Sequence, residues 1–116
     1  MTVEELCQVV CAAASDKKAS DIVTMDMRGL TDTADMFVIA SAPTATQVRA
    51  IVDNIEDKLK EAADAPHVLR KEGYREGEWV LLDCGDVVAH IFRQEAREYY
   101  ALERLWSSAP LTPYED

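Results

Sequence analysis

The sequence predicts a single α/β domain with helices packed on a mixed β-sheet. Three observations carry this reading. The chain has 116 residues, the size of one domain. Short apolar runs of strand length are interspersed with longer stretches whose apolar residues recur at helical spacing. Their order, α-β-β-α-β-β-β-α, calls for a mixed sheet with helices against it.

Thr2 and Glu5 form a capping-box pattern, and Val3, Leu6, Cys7, Val10 and Ala14 follow at helical spacing. A first helix to about Ser15 follows, ended by Asp16-Lys17-Lys18. Residues 22–27 read as a strand stopped by Arg28-Gly29. The continuous apolar run Met36-Phe37-Val38-Ile39-Ala40 reads as a strand buried on both faces. After Pro43, Thr44 and Gln47 make a second capping box. Val48, Ile51, Val52, Ile55, Leu59 and Ala62 then form one apolar stripe, with Arg49, Asp53, Glu56, Asp57, Lys60 and Glu61 over the solvated side. Pro66 ends that region, and residues 67–69 read as a short strand. Residues 78–83 and 86–92 flank Cys84-Gly85, read as a two-residue hairpin turn with Gly85 supplying positive φ. Tyr99, Leu102, Leu105 and Trp106 predict a final helix. The domain is expected over residues 1–107, with 108–116 a short C-terminal tail.

Composition excludes several classes. A hydrophobic content of 48% argues against disorder, and no apolar run approaches the ~20 residues of a membrane span. The start Met1-Thr2-Val3-Glu4-Glu5 lacks the basic, then greasy, pattern of a signal peptide and is too acidic for a transit peptide, so a cytoplasmic protein is expected. Twelve Lys and Arg stand against 22 Asp and Glu, a formal charge of −10. Such a chain is repelled on average by phosphate backbones, which disfavours direct nucleic-acid binding and favours a basic protein partner. The same acidity also serves solubility. Cys7, Cys11 and Cys84 show no C-x-x-C spacing, and the helical spacing of Cys7 and Cys11 suits small core residues.

Chemistry-bearing constellations are sparse. Asp83 and Asp86 flank the hairpin turn, and with Asp26 and His90 could be assembled into a metal site, but Asp at a tight turn more commonly bonds local backbone. The Ala40-Ser41-Ala42-Pro43 segment before the second helix has neither the glycines nor the lysine of a phosphate loop. Ser41 has no patterned histidine partner. No cofactor, metal or catalytic residue is expected. His90, inside an apolar strand, reads as a hydrogen-bonded core or interface histidine. Period-two alternation places Trp79, Leu81 and Asp83 on one sheet face and Val80 and Leu82 on the other. Spacing alone suits a core tryptophan at 79, whereas the residue type is one enriched at protein interfaces.

At this hairpin the sequence resembles a known family. Gly73-Tyr74-Arg75-Glu76-Gly77-Glu78-Trp79-Val80-Leu81-Leu82-Asp83 and Gly85-Asp86-Val87-Val88-Ala89-His90-Ile91-Phe92 closely resemble the ribosomal silencing factors, also called Iojap-like. Further matches are Asp35-Met36-Phe37-Val38-Ile39-Ala40-Ser41, Gln47-Val48 with Ala50-Ile51, Arg97 through Tyr100, Leu102-Glu103 and Leu105-Trp106. Departures are small: Ala42 stands where Gly is usual, Ala89 where Val is common, and Cys84 where an aromatic is frequent. The resemblance implies a nucleotidyltransferase-like fold without catalytic residues, since the Gly-Ser opening and Asp-x-Asp pair of active transferases are missing. It implies a bacterial factor that binds the large ribosomal subunit through ribosomal protein number fourteen, blocks association with the small subunit and represses translation under nutrient limitation. It leaves a homodimer of the free protein open. Trp79 and Val80 carry over as partner contacts, with Asp83, Asp86 and His90 as weaker ones on the same hairpin. The alternative is a nucleotide-binding or nucleotidyl-transferring enzyme on the same fold.

Overall fold

The structure, a computed structural model, describes residues 1–115. Helix α1 (Val3–Asp16) opens with the full capping box: Thr2 Oγ1 accepts from the Glu5 amide at 3.0 Å, and the Thr2 amide donates to Glu5 Oε1 at 2.7 Å. Strands β1 (Ser20–Asp26) and β2 (Met36–Ala42) pair antiparallel. Helix α2 (Ala45–Glu61) uses only half of its predicted box. Thr44 Oγ1 accepts from the Gln47 amide at 3.1 Å, but the Gln47 side chain donates to the Lys17 and Lys18 carbonyls, tying the start of α2 to the end of α1. Strands β3 (Arg70–Glu72), β4 (Trp79–Asp83) and β5 (Val87–Arg93) follow, then helices α3 (Gln94–Tyr100) and α4 (Leu102–Leu105) and strand β6 (Leu111–Pro113).

Among the described residues the strands form a six-stranded mixed sheet in the order β3-β4-β5-β2-β1-β6. Only the central pair, β2 and β5, runs parallel, with α2, β3 and β4 between them in the chain. Helices α1 and α2 cover one face, burying Val38, Ala40, Val80, Leu82, Ala89 and Ile91 beneath Leu6, Val10, Val48, Ile51 and Ile55. The opposite face collects Met25, Phe37, Ile39, Val88 and Phe92, covered by the 27–34 loop, by α3 and α4 through Ala96 and Leu102, and by Trp106 and Ala109 just after α4. Residues 37–42 of β2 are accordingly buried, in line with the apolar run predicted at 36–40 except for half-buried Met36, and residues 87–92 of β5 are buried as well.

Four expectations are corrected. The short strand lies at Arg70–Glu72, three residues beyond 67–69; all three of its side chains are exposed, so it carries no apolar signal. The hairpin turn is Gly85-Asp86, one residue later than expected. The Cys84 amide donates to the Val87 carbonyl at 2.9 Å, Cys84 itself is buried, and Gly85 takes φ +89°. The final helix is broken at Ala101, which adopts the left-handed conformation (φ 46°, ψ 55°), so Leu102 turns into the core while Tyr99 and Tyr100 stay outside. Residues 108–115 are more than an appendage. Strand β6 pairs antiparallel with β1, the Asp26 amide donates to the Pro110 carbonyl at 2.9 Å, and the Tyr114 amide donates to that of Ile22 at 2.8 Å. With all three residues exposed and prolines at 110 and 113, this strand offers no apolar alternation to read.

Candidate partner-binding face around Trp79

Strand alternation does on β4 what the sequence predicts: Trp79, Leu81 and Asp83 share a face, and Val80 and Leu82 turn toward α1 and α2. Trp79 sits opposite Phe92, and Leu81 opposite His90. The two short helices leave this side of the sheet incompletely covered, so Trp79 and Leu81 are half-buried.

Trp79 is the hub of an aromatic cluster. Its ring stacks on Phe92 (centroids 5.0 Å apart, planes at 28°) and tilts against Tyr100 at 4.7 Å. Tyr100 meets Tyr99 edge-on at 5.1 Å. These two tyrosines carry the cluster into solvent, at 48% and 82% exposure. Below them, Trp79 Nε1–H donates to His90 Nδ1 at 3.0 Å, and the His90 ring meets Phe37 in a T at 4.5 Å. The segment bearing the tyrosines is braced by Arg97. Its Nη1 donates to Ser41 Oγ at 3.0 Å, while Nε and Nη2 donate to Glu103 Oε2 at 3.2 and 3.0 Å, fastening α3 to β2 and α4.

The residues expected as contacts divide. Trp79 lies on the open face. Val80 has no exposed surface and belongs to the core under the helices; a side chain next to Trp79 on a strand must point the other way, so it is not a direct contact. Asp83 is half-buried and accepts from the Gly85 amide at 2.9 Å, the turn-stabilising reading. Asp86 exposes its side chain, and its carbonyl accepts from the amides of Asp35 and Met36, buckling the hairpin to the start of β2. His90 is 4% exposed and cannot touch a partner directly. The spacing that predicts the final helix counts Tyr99 among its residues, and Tyr100 enters only within the family match Arg97 through Tyr100.

The metal-site reading does not assemble. Asp26 pairs with Arg28, whose Nε and Nη2 donate to it at 3.0 and 2.9 Å, Asp83 is committed to its turn, and His90 to Trp79. Among the described residues no three His, Cys, Asp or Glu side chains converge for a metal ion. Burial drives the thiol of Cys7 up to about 11, Cys11 to about 12 and Cys84 to about 11, leaving them protonated and inert near neutrality. Ser41 donates its hydroxyl proton to the Ser20 carbonyl at 3.2 Å and accepts from Arg97.

Burial holds His90 down at about 4, so it is neutral at physiological pH. The unfolded chain takes up this proton near pH 6.5 and the folded chain only near 4. His90 therefore costs no stability through protonation above pH 6.5, and below that the fold progressively loses stability as pH falls toward 4. Thermal midpoints are expected to start falling already between about pH 6.5 and 5, ahead of most carboxylates. In His90→Leu this early decline should be absent; an equal decline would place its origin elsewhere.

Across the whole chain, residues 1–116 match the family model described as "Ribosomal silencing factor during starvation". The protein belongs to the ribosomal silencing factor family. It is 41% identical over 111 residues to ribosomal silencing factor RsfS of Bacillus subtilis (strain 168), spanning 96% of this chain and 92% of that one. It is 35% identical over 104 residues to the chloroplastic protein Iojap of Zea mays, spanning 89% of this chain and 43% of that one. The crystal structure of a Chromobacterium violaceum protein superposes with a TM-score of 0.88 at 36% identity, covering 92% of this chain and 88% of that one. A Bacillus halodurans structure gives 0.82 at 38%, covering 94% and 97%. These neighbours share the silencing-factor fold described above, the α/β architecture expected from the sequence. Among the described residues no helix is long and apolar enough to cross a membrane.

Proposed function

We propose that the protein silences ribosomes by binding, without turnover. The Trp79 face docks on the large ribosomal subunit at ribosomal protein number fourteen and bars the small subunit. The observation that carries this reading is the aromatic cluster Trp79-Tyr100-Tyr99, which crosses from core to solvent on the face that α3 and α4 leave open. Trp and Tyr are the side chains that anchor protein interfaces, offering large area at low entropy cost. Family membership supplies the ribosome as the partner. The formal charge of −10 suits a basic ribosomal protein while discouraging capture by rRNA. Blocking an association surface requires occupancy and bulk alone, in keeping with a family named for silencing.

Sedimentation tests this. Purified protein added to separated subunits is expected to comigrate with the large subunit and to reduce the fraction that joins the small one. It should bind isolated ribosomal protein number fourteen and ignore naked rRNA at physiological salt. Labelled nucleoside triphosphates should be returned unchanged with magnesium or manganese. Tight rRNA binding that weakens steeply with salt, or nucleotide turnover lost on Asp83→Ala or Asp86→Ala, would overturn the reading.

A further inference from the structure

Resting on that reading, we infer that His90 is a positioning residue: it holds the Trp79 indole ready for the partner through the Nε1–H···Nδ1 hydrogen bond, and touches no partner itself.

The ring is buried, so whatever it contributes to binding must pass through a neighbour. Among the described residues, the ring's one side-chain hydrogen bond runs to the residue that leads from the core to the open face. Because Nδ1 accepts from Trp79, the ring proton sits on Nε2. That nitrogen is buried with no hydrogen-bond partner among the described residues. A buried, unpaired N–H lowers stability, and an apolar side chain of similar volume in this aromatic layer would avoid the cost. Core filling therefore does not account for a histidine here, whereas an acceptor aimed at the indole does.

The acceptor is rigidly placed. His90 lies in the middle of β5, paired on one side with Ile39 of β2 and on the other with Leu81 of β4. Phe37 meets its ring in a T, and Phe92 lies nearly parallel to it with centroids 6.4 Å apart. Burial keeps the imidazole neutral, so Nδ1 stays available as an acceptor throughout the physiological range. Without it, a half-buried indole would satisfy its N–H with water and sample other rotamers, which a partner must then freeze out. Preorganising an anchor side chain raises affinity with no added contact.

The test compares His90→Leu, which keeps apolar volume and removes the acceptor, with His90→Asn, whose amide oxygen can take the place of Nδ1 but fills less space. Affinity for purified large subunits, the thermal midpoint and the Trp79 indole N–H resonance are read on each. His90→Leu should keep or raise the midpoint, move the indole N–H to a water-exposed, fast-exchanging signature, and weaken binding about three- to tenfold. His90→Asn should lower the midpoint yet bind within about twofold of wild type. A merely structural histidine predicts the reverse order, with affinity following stability, and that order overturns the inference. Trp79→Ala separates the two levels. If it binds like wild type, the face itself is not the contact. If it loses binding while His90→Leu does not, only the positioning role falls. A fast-exchanging indole N–H in the wild-type protein would overturn the inference without any variant.

Discussion

Replacing Trp79 with alanine is expected to weaken binding to the large subunit by about 2 kcal/mol or more, roughly thirtyfold. At limiting concentrations of the protein this relieves much of the block on subunit joining. A tryptophan wholly inside a core would lose about 3–5 kcal/mol of folding stability on truncation. Trp79 is half-buried, and Phe92, Tyr100 and His90 remain packed around the vacated space, so a smaller loss of about 1–2 kcal/mol is expected. Affinity should therefore fall by more than stability, measured on the same preparation. Tyr99→Ala gives a cleaner arm: at 82% exposure it should leave the midpoint within about 0.5 kcal/mol of wild type while still weakening binding. A Trp79→Ala protein that remains folded, binds and blocks joining as before would remove this face from the mechanism.

The sequence announced this face in part, and the reason lies in which signals are local. Strand alternation is a period-two property of the backbone, so the opposite directions of Trp79 and Val80 could be read from spacing. Their different fates could not, because burial depends on what covers each face. Val80 lies beneath two amphipathic helices, each announced by its own stripe and cap. The other face is covered by short pieces whose geometry turns on one residue. Nothing in the apolar spacing of Tyr99, Leu102 and Leu105 shows that Ala101 will adopt a left-handed conformation, which costs about 1–2 kcal/mol for a residue with a Cβ. That single reversal turns Leu102 inward and leaves the tyrosines outside. Arg97, fastened to Ser41 and Glu103, holds the reversed segment in place across distances in sequence that no pattern reveals. Strand β6 escaped for a related reason: it is defined by backbone hydrogen bonds to β1, while its own side chains are exposed. The family resemblance carried Val80 along with Trp79 as a contact, because adjacency in a motif does not record direction.

Gly73→Ala is expected to be among the most disruptive single-methyl additions in the molecule, and the reason again reaches Trp79. Gly73 adopts φ +80°, and a Cβ there would lie 2.1 Å from the Trp79 carbonyl oxygen and 3.2 Å from its carbon. Neither side can yield easily. Trp79 is fixed in β4 opposite Phe92, with the neighbouring Glu78 carbonyl accepting from the Arg93 amide at 2.8 Å. The loop that Gly73 opens is fastened to α2, because Tyr74 Oη donates to Asp53 at 2.9 Å and Arg49 Nη1 donates to the Arg75 carbonyl at 3.1 Å. The left-handed conformation costs about 1–2 kcal/mol once a Cβ is present, and forcing atoms into packed structure adds about 1–3 kcal/mol. Gly29 supplies the control, with φ +84° and open space around the position a Cβ would take, so Gly29→Ala should show the conformational cost alone. The difference between the two midpoints then measures the contact with the Trp79 backbone. In whatever fraction of Gly73→Ala folds, the loop must lift or β4 must move, so affinity for the large subunit should fall as well, while Gly29→Ala binds normally. Equal midpoints for the two variants would mean that the loop does not rest on the Trp79 carbonyl, and that the aromatic face is held by its side chains alone.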